Sequence, residues 1–213
     1  MKWKKLGRIF NPVEHKLANN CVEFAQSPQT IVFDDYVRIY FSTREPDLKT
    51  GKFLSHVAFV DMSKDFKTIL NISNKTVIAL GELGTFDEHG IFPINLLKEK
   101  NRVLAYTCGW SRRVSVSVET STGLAISNDD GLTFEKVGHG PVFTNSPNEP
   151  FLVGDSFVQI YNGVYHMWYM FGTRWIDTVD EGAQRVYKIG HATSKDGINW
   201  IKEETKQIIP DFL

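Results

Sequence analysis

The chain has 213 residues, of which 42% are hydrophobic and 13% aromatic, and its formal net charge at pH 7 is −1. A near-neutral charge without long runs of one sign argues against nucleic acid or an anionic membrane surface as a partner. The sequence has neither an apolar run of about 18 residues that would span a bilayer nor the apolar stretch of a signal peptide, so we expect a cytoplasmic location.

A pattern of short strands repeats about every 65 residues. The second strand of each repeat is aromatic, and its tyrosines are Tyr40, Tyr106 and Tyr169. The third strands share the alanines Ala58, Ala125 and Ala192. A fixed period with one supersecondary unit per repeat indicates a radial or solenoid architecture. Four short strands per repeat favour a β-propeller.

We therefore predict an all-β chain with a single domain over residues 1–213. The predicted blades are 24–81, 85–143 and 149–210, and residues 3–10 are the outermost strand of a closing blade. The predicted fourth strands are Thr76–Ala79, Pro141–Phe143 and Gln207–Ile209. Three blades and one unpaired strand are too few to close a propeller ring. We expect the chain either to be part of a longer propeller or to self-associate and so cover its open edges.

Two acidic turns recur after the third strands. The run Ser127–Phe134 fits the S-x-D-x-G-x-T-W/F pattern of an Asp box, and Ser194–Trp200 is a shorter relative. In such a turn the carboxylate accepts bonds from backbone N–H groups, and glycine takes the positive-φ position. The pattern predicts a structural role.

Carboxylates occur in the loops that lead into the first strands of the second and third repeats. Asp87 lies in Thr85–Pro93, and Glu149 lies in Pro147–Ser156. Innermost propeller strands line an axial cavity, so these side chains are expected at its mouth. Glycoside chemistry needs one carboxylate to protonate the leaving oxygen and another to activate water or attack. An equally weighted alternative is that both carboxylates bind loop amides.

Further polar and aromatic residues are candidates for saccharide binding. Tryptophan faces stack on sugar rings, and arginine forks grip carboxylates or phosphates. Alternatively, the tryptophans pack at blade edges and the arginines are solvated. The predicted binding residues are Gln26, Glu88, His89, Trp110, Arg112, Arg113, Asp155, Arg174 and Trp175. No histidine or cysteine spacing indicates a metal site, and no cofactor motif is present.

Four runs of the sequence carry a family resemblance: Gly81–Gly90, Tyr106–Trp110, Glu149-Pro150-Phe151 and Met167-Trp168-Tyr169. With these runs the chain resembles the five-bladed propeller glycosidases of families 43, 32 and 130 and their bacterial relatives. The resemblance implies three acids, from the first three blades: an Asp base, an orienting Asp and a Glu acid. Asp87 matches the second acid and Glu149 the third. The first repeat has no Asp at the matching place, so Glu23 is the substitute, or Gln26 only binds.

The leading interpretation is a carbohydrate-active propeller of glycoside hydrolase type that holds a saccharide in its cavity. One alternative is a phosphorylase or glycosyltransferase on the same scaffold, which uses fewer carboxylates and more cationic side chains. Another is a sugar-binding protein without catalytic activity. Phosphate-dependent turnover would favour the former, and binding without turnover the latter.

Overall fold

The computed structural model describes residues 2–180 and 182–210, and within these ranges the chain is all-β. Apart from one 3₁₀ turn at Pro12–Glu14, the regular elements there are strands. They are β1 (Glu23–Val32), β2 (Tyr36–Asp47), β3 (Lys52–Ser63), β4 (Ile69–Ile72), β5 (Gly90–Lys98), β6 (Val103–Arg112), β7 (Val118–Ser127), β8 (Glu135–Lys136), β9 (Val153–Tyr161), β10 (Val164–Thr178), β11 (Gly182–Ser194) and β12 (Trp200–Lys202). None of the described residues forms a helix that could cross a membrane.

The strands follow one another as three antiparallel meanders, here called units one (β1–β4), two (β5–β8) and three (β9–β12). A single parallel bridge between Ser55 and Gly90 joins units one and two, while unit three is a separate sheet. The first strands lie side by side, because β5 contacts both β1 and β9. These first strands therefore form one wall shared by all three units.

Apolar side chains fill the space between successive units, because both faces of the middle sheet are buried. Tyr40 and Phe59 of unit one pack with Ala105 of unit two. On the other face of unit two, Tyr106 packs with Met167 of unit three. Alternating side chains of one strand point to opposite faces, so neighbouring residues of β6 serve different cores.

A tyrosine hydroxyl links each of the first two units to the acidic turn of the next. Tyr40 Oη donates to the carbonyl of Gly131 at 2.7 Å, and Tyr106 Oη donates to that of Gly197 at 3.0 Å. Both tyrosines are buried, and a buried hydroxyl needs such a partner. Both glycines have positive φ, 82° and 75°, and a Cβ at either would meet the tyrosine hydroxyl. The turns therefore lock units together.

The fourth strands lie elsewhere than predicted. The structure places them directly after the turns, at Ile69–Ile72, Glu135–Lys136 and Trp200–Lys202. Of the predicted segments, Ile78 makes only an isolated bridge to Phe134, and Phe143 makes one to Thr122. Ile78 and Phe143 are buried between units. These apolar segments are connections whose side chains fill the core. The sequence pattern predicted strands there because their apolar composition is also typical of strands.

Unit one also has a turn of this kind, which the sequence pattern missed. Ser63 Oγ donates to Asp65 Oδ1 at 2.6 Å, and the Thr68 N–H donates to Ser63 Oγ at 3.0 Å. In unit two, Ser127 Oγ donates to Asp129 Oδ1 at 2.6 Å. The Ser-x-Asp bond therefore recurs before every fourth strand, including the unit that lacks the glycine.

Residues 2–10 form no strand in the structure. Ile9 and Phe10 instead pack against the outer face of unit one, beside Phe41. The predicted pairing of residues 3–10 with a closing blade needs strands that the described residues do not include, so it stays a prediction, as do the blade bounds.

The Asp196 turn has an expected pH signature. Hydrogen bonds from the Asn199 side chain, and from the N–H groups of Asn199 and Ile198, hold the pKa of Asp196 below its usual range. A lowered folded-state pKa stabilises the fold above about pH 4, and this contribution is lost as the pH falls through the folded-state pKa. We expect Asp196→Asn to be less stable than wild type at pH 6, with the difference shrinking toward pH 2. Denaturant titrations across this range check it; a difference independent of pH would contradict it.

Candidate functional site

The first strand of each unit is interrupted at a matching place. The pairing register shifts between Gln26 and Gln29 in β1 and between Ile91 and Ile94 in β5. In β9 it shifts between Gly154 and Phe157, which pair with Met170 and Trp168 of β10. Bulges of this kind kink a strand and redirect a side chain, and they are over-represented beside active sites.

Backbone strain marks two of these bulges. Ser27 in β1 has a φ of 48°, and Asp155 in β9 has a φ of 49°. Non-glycine residues in this region cost of the order of 1 kcal/mol or more, and they cluster at functional sites. The third bulge holds Phe92. The inner wall therefore presents one redirected residue from each unit.

A cavity of about 340 Å³ lies beside these bulges, and we call it the central pocket. Its size is at the lower end of the range for small-molecule sites. All three units contribute to its walls. The lining residues are Arg44, Phe53, Ser55, Phe92, Cys108, Trp110, Val118, Thr120, Leu152, Asp155, Met170, Arg185 and Tyr187.

Asp155 is the only carboxylate among the described residues that line the central pocket. Asp155 is exposed to solvent on the pocket side. Nearby protein atoms nevertheless displace part of the water around its carboxyl group. This enclosure raises the pKa of Asp155, while a hydrogen bond with the Cys108 thiol and the charge of Arg185 oppose the rise. A carboxyl group whose pKa is raised by its surroundings suits a general acid.

Arg44 brings a guanidinium to the pocket from β2. Its Nη2 donates to Gln26 Oε1 at 2.6 Å, and the group lies 4.8 Å from the centre of the Phe92 ring. Burial lowers the pKa of Arg44, while the negative charge of Glu23 opposes this. No salt bridge joins Arg44 to an acid within residues 2–180 and 182–210.

The remaining walls combine aromatic and polar groups. Trp110 Nε1 donates to Ser55 Oγ at 3.1 Å, which fixes the indole of unit two against unit one. Arg185 and Tyr187 come from β11, whose hairpin with β10 runs to Thr178 and Gly182. Flat rings beside hydrogen-bonding groups can hold a sugar, because its ring faces are apolar and its hydroxyls are polar.

Asp87 and Glu149 lie in the interior and not in the central pocket. Asp87 is 0% exposed and Glu149 is 1% exposed. Asp87 accepts from Lys136 Nζ at 2.9 Å, and Glu149 accepts from Lys202 Nζ at 2.9 Å. Glu149 also accepts from Tyr169 Oη and from the backbone N–H of Thr205. Burial and ion pairing of this kind favour structural roles for both carboxylates, and their catalytic assignments stay predictions.

The structure places the predicted first-repeat residues at the edge of the pocket. Gln26 orients Arg44. Glu23 is close enough to Arg44 to affect its pKa, but it does not line the cavity. The catalytic role of Glu23 and the binding role of Gln26 stay predictions.

Most other predicted binding residues form a separate set of contacts. Arg112 bonds Asp47 at 2.8 Å and the carbonyl of Phe53 at 2.9 Å, which ties the β2–β3 hairpin to unit two. Glu88 lies 3.2 Å from His89 Nδ1, and the His89 ring stacks on Trp110. These residues support the wall that Trp110 presents to the pocket.

Arg113 and Trp175 line a second cleft, between the β6–β7 hairpin and unit three. Arg113 also bonds Glu119 at 2.7 Å. Arg174 is exposed on β10, outside the central pocket. Of the predicted set, only Trp110 and Asp155 therefore line the central pocket itself.

No cluster of three or more potential metal ligands occurs in the part of the chain that the structure describes. Cys21 and Cys108 are both buried free thiols, and burial raises the pKa of each. Such thiols are poor nucleophiles at neutral pH.

No protein-family model matches the chain. Two relatives from Mycobacterium tuberculosis are each 31% identical to it over 210 residues: the uncharacterized proteins MT1551, of strain CDC 1551 / Oshkosh, and Rv1502, of strain ATCC 25618 / H37Rv. Each match covers 98% of this chain and 67% of the relative.

Solved structures with similar folds are carbohydrate-active proteins. The RGII complex of BT0996 matches 94% of this chain with a TM-score of 0.67 and 15% identity. A glycosyl hydrolase from Bacteroides ovatus matches 93% with a TM-score of 0.62 and 13% identity. A third structure comes from work on the GH130 family of mannoside phosphorylases, which contains glycoside hydrolases that target β-1,2-mannosidic linkages in Candida mannan. It matches 90% of this chain with a TM-score of 0.60 and 14% identity. This chain spans 61%, 56% and 55% of their respective lengths. The chain therefore shares the propeller-like fold of these structures.

Proposed function

We propose that this chain, which belongs to the family of the uncharacterized mycobacterial proteins Rv1502 and MT1551, binds a saccharide in the central pocket and acts on its glycosidic bond. The observation that carries the proposal is Asp155, a strained residue on a bulge that brings an enclosed carboxyl group to the pocket. The similarity to glycoside hydrolases and phosphorylases supports the same chemistry through the fold alone.

In this proposal Asp155 is the general acid. Surrounding protein atoms raise the pKa of Asp155, which favours the protonated form that a general acid needs. The proton passes to the glycosidic oxygen while the bond from that oxygen to the anomeric carbon breaks, and the oxygen leaves as a hydroxyl group. Water then forms the new bond to the anomeric carbon and gives up a proton to solvent. Trp110 and Phe92 provide apolar surface for sugar rings.

A second candidate function is phosphate-dependent cleavage. Standard hydrolysis uses two carboxylates, and the described lining of the pocket holds only Asp155. Phosphate carries its own negative charge and needs cationic partners, and Arg44 and Arg185 line the same pocket. Sugar 1-phosphate that forms only in the presence of phosphate would select this candidate over hydrolysis.

Asp155→Asn tests the proposal. Turnover of β-1,2-linked mannosides, RGII oligosaccharides and sucrose is measured with and without inorganic phosphate. We expect Asp155→Asn to lower kcat/KM on a responsive substrate by about 100-fold or more, because a positioned acid contributes on that order. Its unfolding midpoint should stay near that of wild type, since the carboxyl group makes no salt bridge among the described residues.

Asp177→Asn is the matched control, because Asp177 is an exposed carboxylate of unit three outside the central pocket. It should leave both turnover and stability unchanged. Equal rates for the Asp155→Asn and Asp177→Asn variants would remove Asp155 from the mechanism. Saccharide binding without turnover would leave a binding protein, and the absence of both would overturn the proposal.

A further inference from the structure

Arg44 differs from the enclosed arginines Arg38 and Arg112 because it makes no salt bridge to any residue that the structure describes. Arg38 is buried and bonds Asp61 at 2.7 Å, and Arg112 bonds Asp47 at 2.8 Å. Arg44 is partly buried and bonds only neutral oxygens, Gln26 Oε1 at 2.6 Å and the Thr43 carbonyl at 3.2 Å. Glu23 is close enough to affect the pKa of Arg44, but within the described residues no carboxylate bonds the Arg44 guanidinium directly.

This arrangement is costly unless a ligand completes it. A guanidinium loses hydration when enclosed, and a neutral amide returns only part of that loss. Arg44 has five N–H donors, of which two contact the protein oxygens just described. The others remain for a planar oxyanion, whose two oxygens match the guanidinium fork.

The rest of the pocket has the same sign of charge. Arg185 adds a second guanidinium from β11. Asp155 is the only acid of the described lining, and burial favours its neutral form. The cavity is therefore cationic when Asp155 holds its proton, while its walls of Phe92 and Trp110 suit a sugar ring.

We infer that the central pocket recognises an oxyanion, the carboxylate of an acidic sugar or a phosphate, which Arg44 binds with support from Arg185. The inference rests on the proposed function, since it names the chemical class of the ligand at the same site. The saccharide that binds is then an acidic or phosphorylated one, or a neutral one that binds together with phosphate.

The test measures binding of small probes to the full chain by calorimetry at constant ionic strength. The probes are inorganic phosphate, D-glucuronate, D-galacturonate and the neutral D-glucose. We expect one anionic probe to bind at least about tenfold more tightly than D-glucose, the difference that one charge-assisted pair contributes. A preference for glucuronate or galacturonate identifies an acidic sugar, and a preference for phosphate identifies the free anion.

Three arginine variants locate the effect. Arg44→Gln should weaken binding of the preferred anion by about tenfold or more. Arg185→Gln should weaken binding less. Because Arg185 is exposed, this variant should fold even if Arg44→Gln does not. Arg8→Gln is the matched control, since Arg8 is exposed outside the pocket and belongs to no predicted site.

Two results would overturn the inference. One is that no anionic probe binds more tightly than D-glucose. The other is that Arg44→Gln and Arg185→Gln weaken binding no more than Arg8→Gln. Both results leave the proposed function standing if a neutral saccharide is bound and cleaved in an Asp155-dependent way, so the two failures are distinguishable.

Discussion

Replacing Glu149 by glutamine is expected to lower the free energy of unfolding by about 3–5 kcal/mol, the usual cost of removing one partner of a buried ion pair. Glu149 is 1% exposed and binds Lys202 Nζ at 2.9 Å. Its two oxygens also accept from Tyr169 Oη at 3.0 and 3.1 Å and from the Thr205 N–H at 3.1 Å. Glutamine keeps the shape but leaves the Lys202 ammonium enclosed without a counter-charge. The lost stability appears as a lower midpoint in chemical denaturation.

Glu82→Gln is the control for this variant. Glu82 also carries one negative charge, but it is exposed and its side chain makes no salt bridge to a described residue. Its replacement should change the midpoint little, because charges at the surface are screened by water. If Glu149→Gln unfolds at the same denaturant concentration as Glu82→Gln, the Glu149 carboxylate does not hold the fold. The catalytic assignment from the family resemblance would then regain weight.

Asp61→Asn is expected to have an effect of similar size, about 3–5 kcal/mol. Asp61 holds Arg38 through two bonds, from Nε at 2.7 Å and from Nη2 at 2.8 Å. Arg38 lies 4.1 Å from the centre of the Phe59 ring, and it donates to the carbonyl of Asp130 at 3.0 Å. The Arg38–Asp61 pair thus holds unit one against the acidic turn of unit two, and the charge on Arg38 is uncompensated without Asp61.

A double variant separates the cost of an orphaned charge from the worth of the pair. Arg38→Met with Asp61→Leu removes both charges, and it should be destabilised less than Asp61→Asn alone. Asp35→Asn, at an exposed loop carboxylate, serves as the control. Denaturant unfolding of the four proteins, wild type included, gives the comparison. A double variant less stable than Asp61→Asn would mean that the pair itself contributes net stability.

The regular part of the fold follows from local patterns. The predicted second strands lie inside β2, β6 and β10, because aromatic and β-branched runs favour a half-buried sheet. The fourth strands were misplaced because those in units two and three are short, while Val77–Ile78 and Phe143 look like strands and fill cores. Apolar runs of this length do not reveal whether they pair or only pack.

The site was harder to predict, since its geometry depends on distant partners. Asp87 and Glu149 have the composition of a catalytic loop, but Lys136 and Lys202, which enclose them, lie 49 and 53 residues away. Arg185 and Tyr187 were missed, because an alternating strand gives no sign of which face meets a pocket. Asp155 was found only as a binding residue; its sequence neighbours do not show the bulge that redirects it.

The tyrosine links make the molecule modular. Each link spans 91 residues of sequence, from Tyr40 to Gly131 and from Tyr106 to Gly197. Because Tyr40 and Tyr106 are themselves 66 residues apart, excision of one whole repeat would bring Tyr40 opposite the old position of Gly197 at an unchanged separation. Gene duplication or loss in steps of one repeat would therefore regenerate the same junction. A deletion that removed a tyrosine but kept the turn it contacts, or the reverse, would leave one of the two buried groups without its partner. The junction thus favours changes in the number of whole repeats.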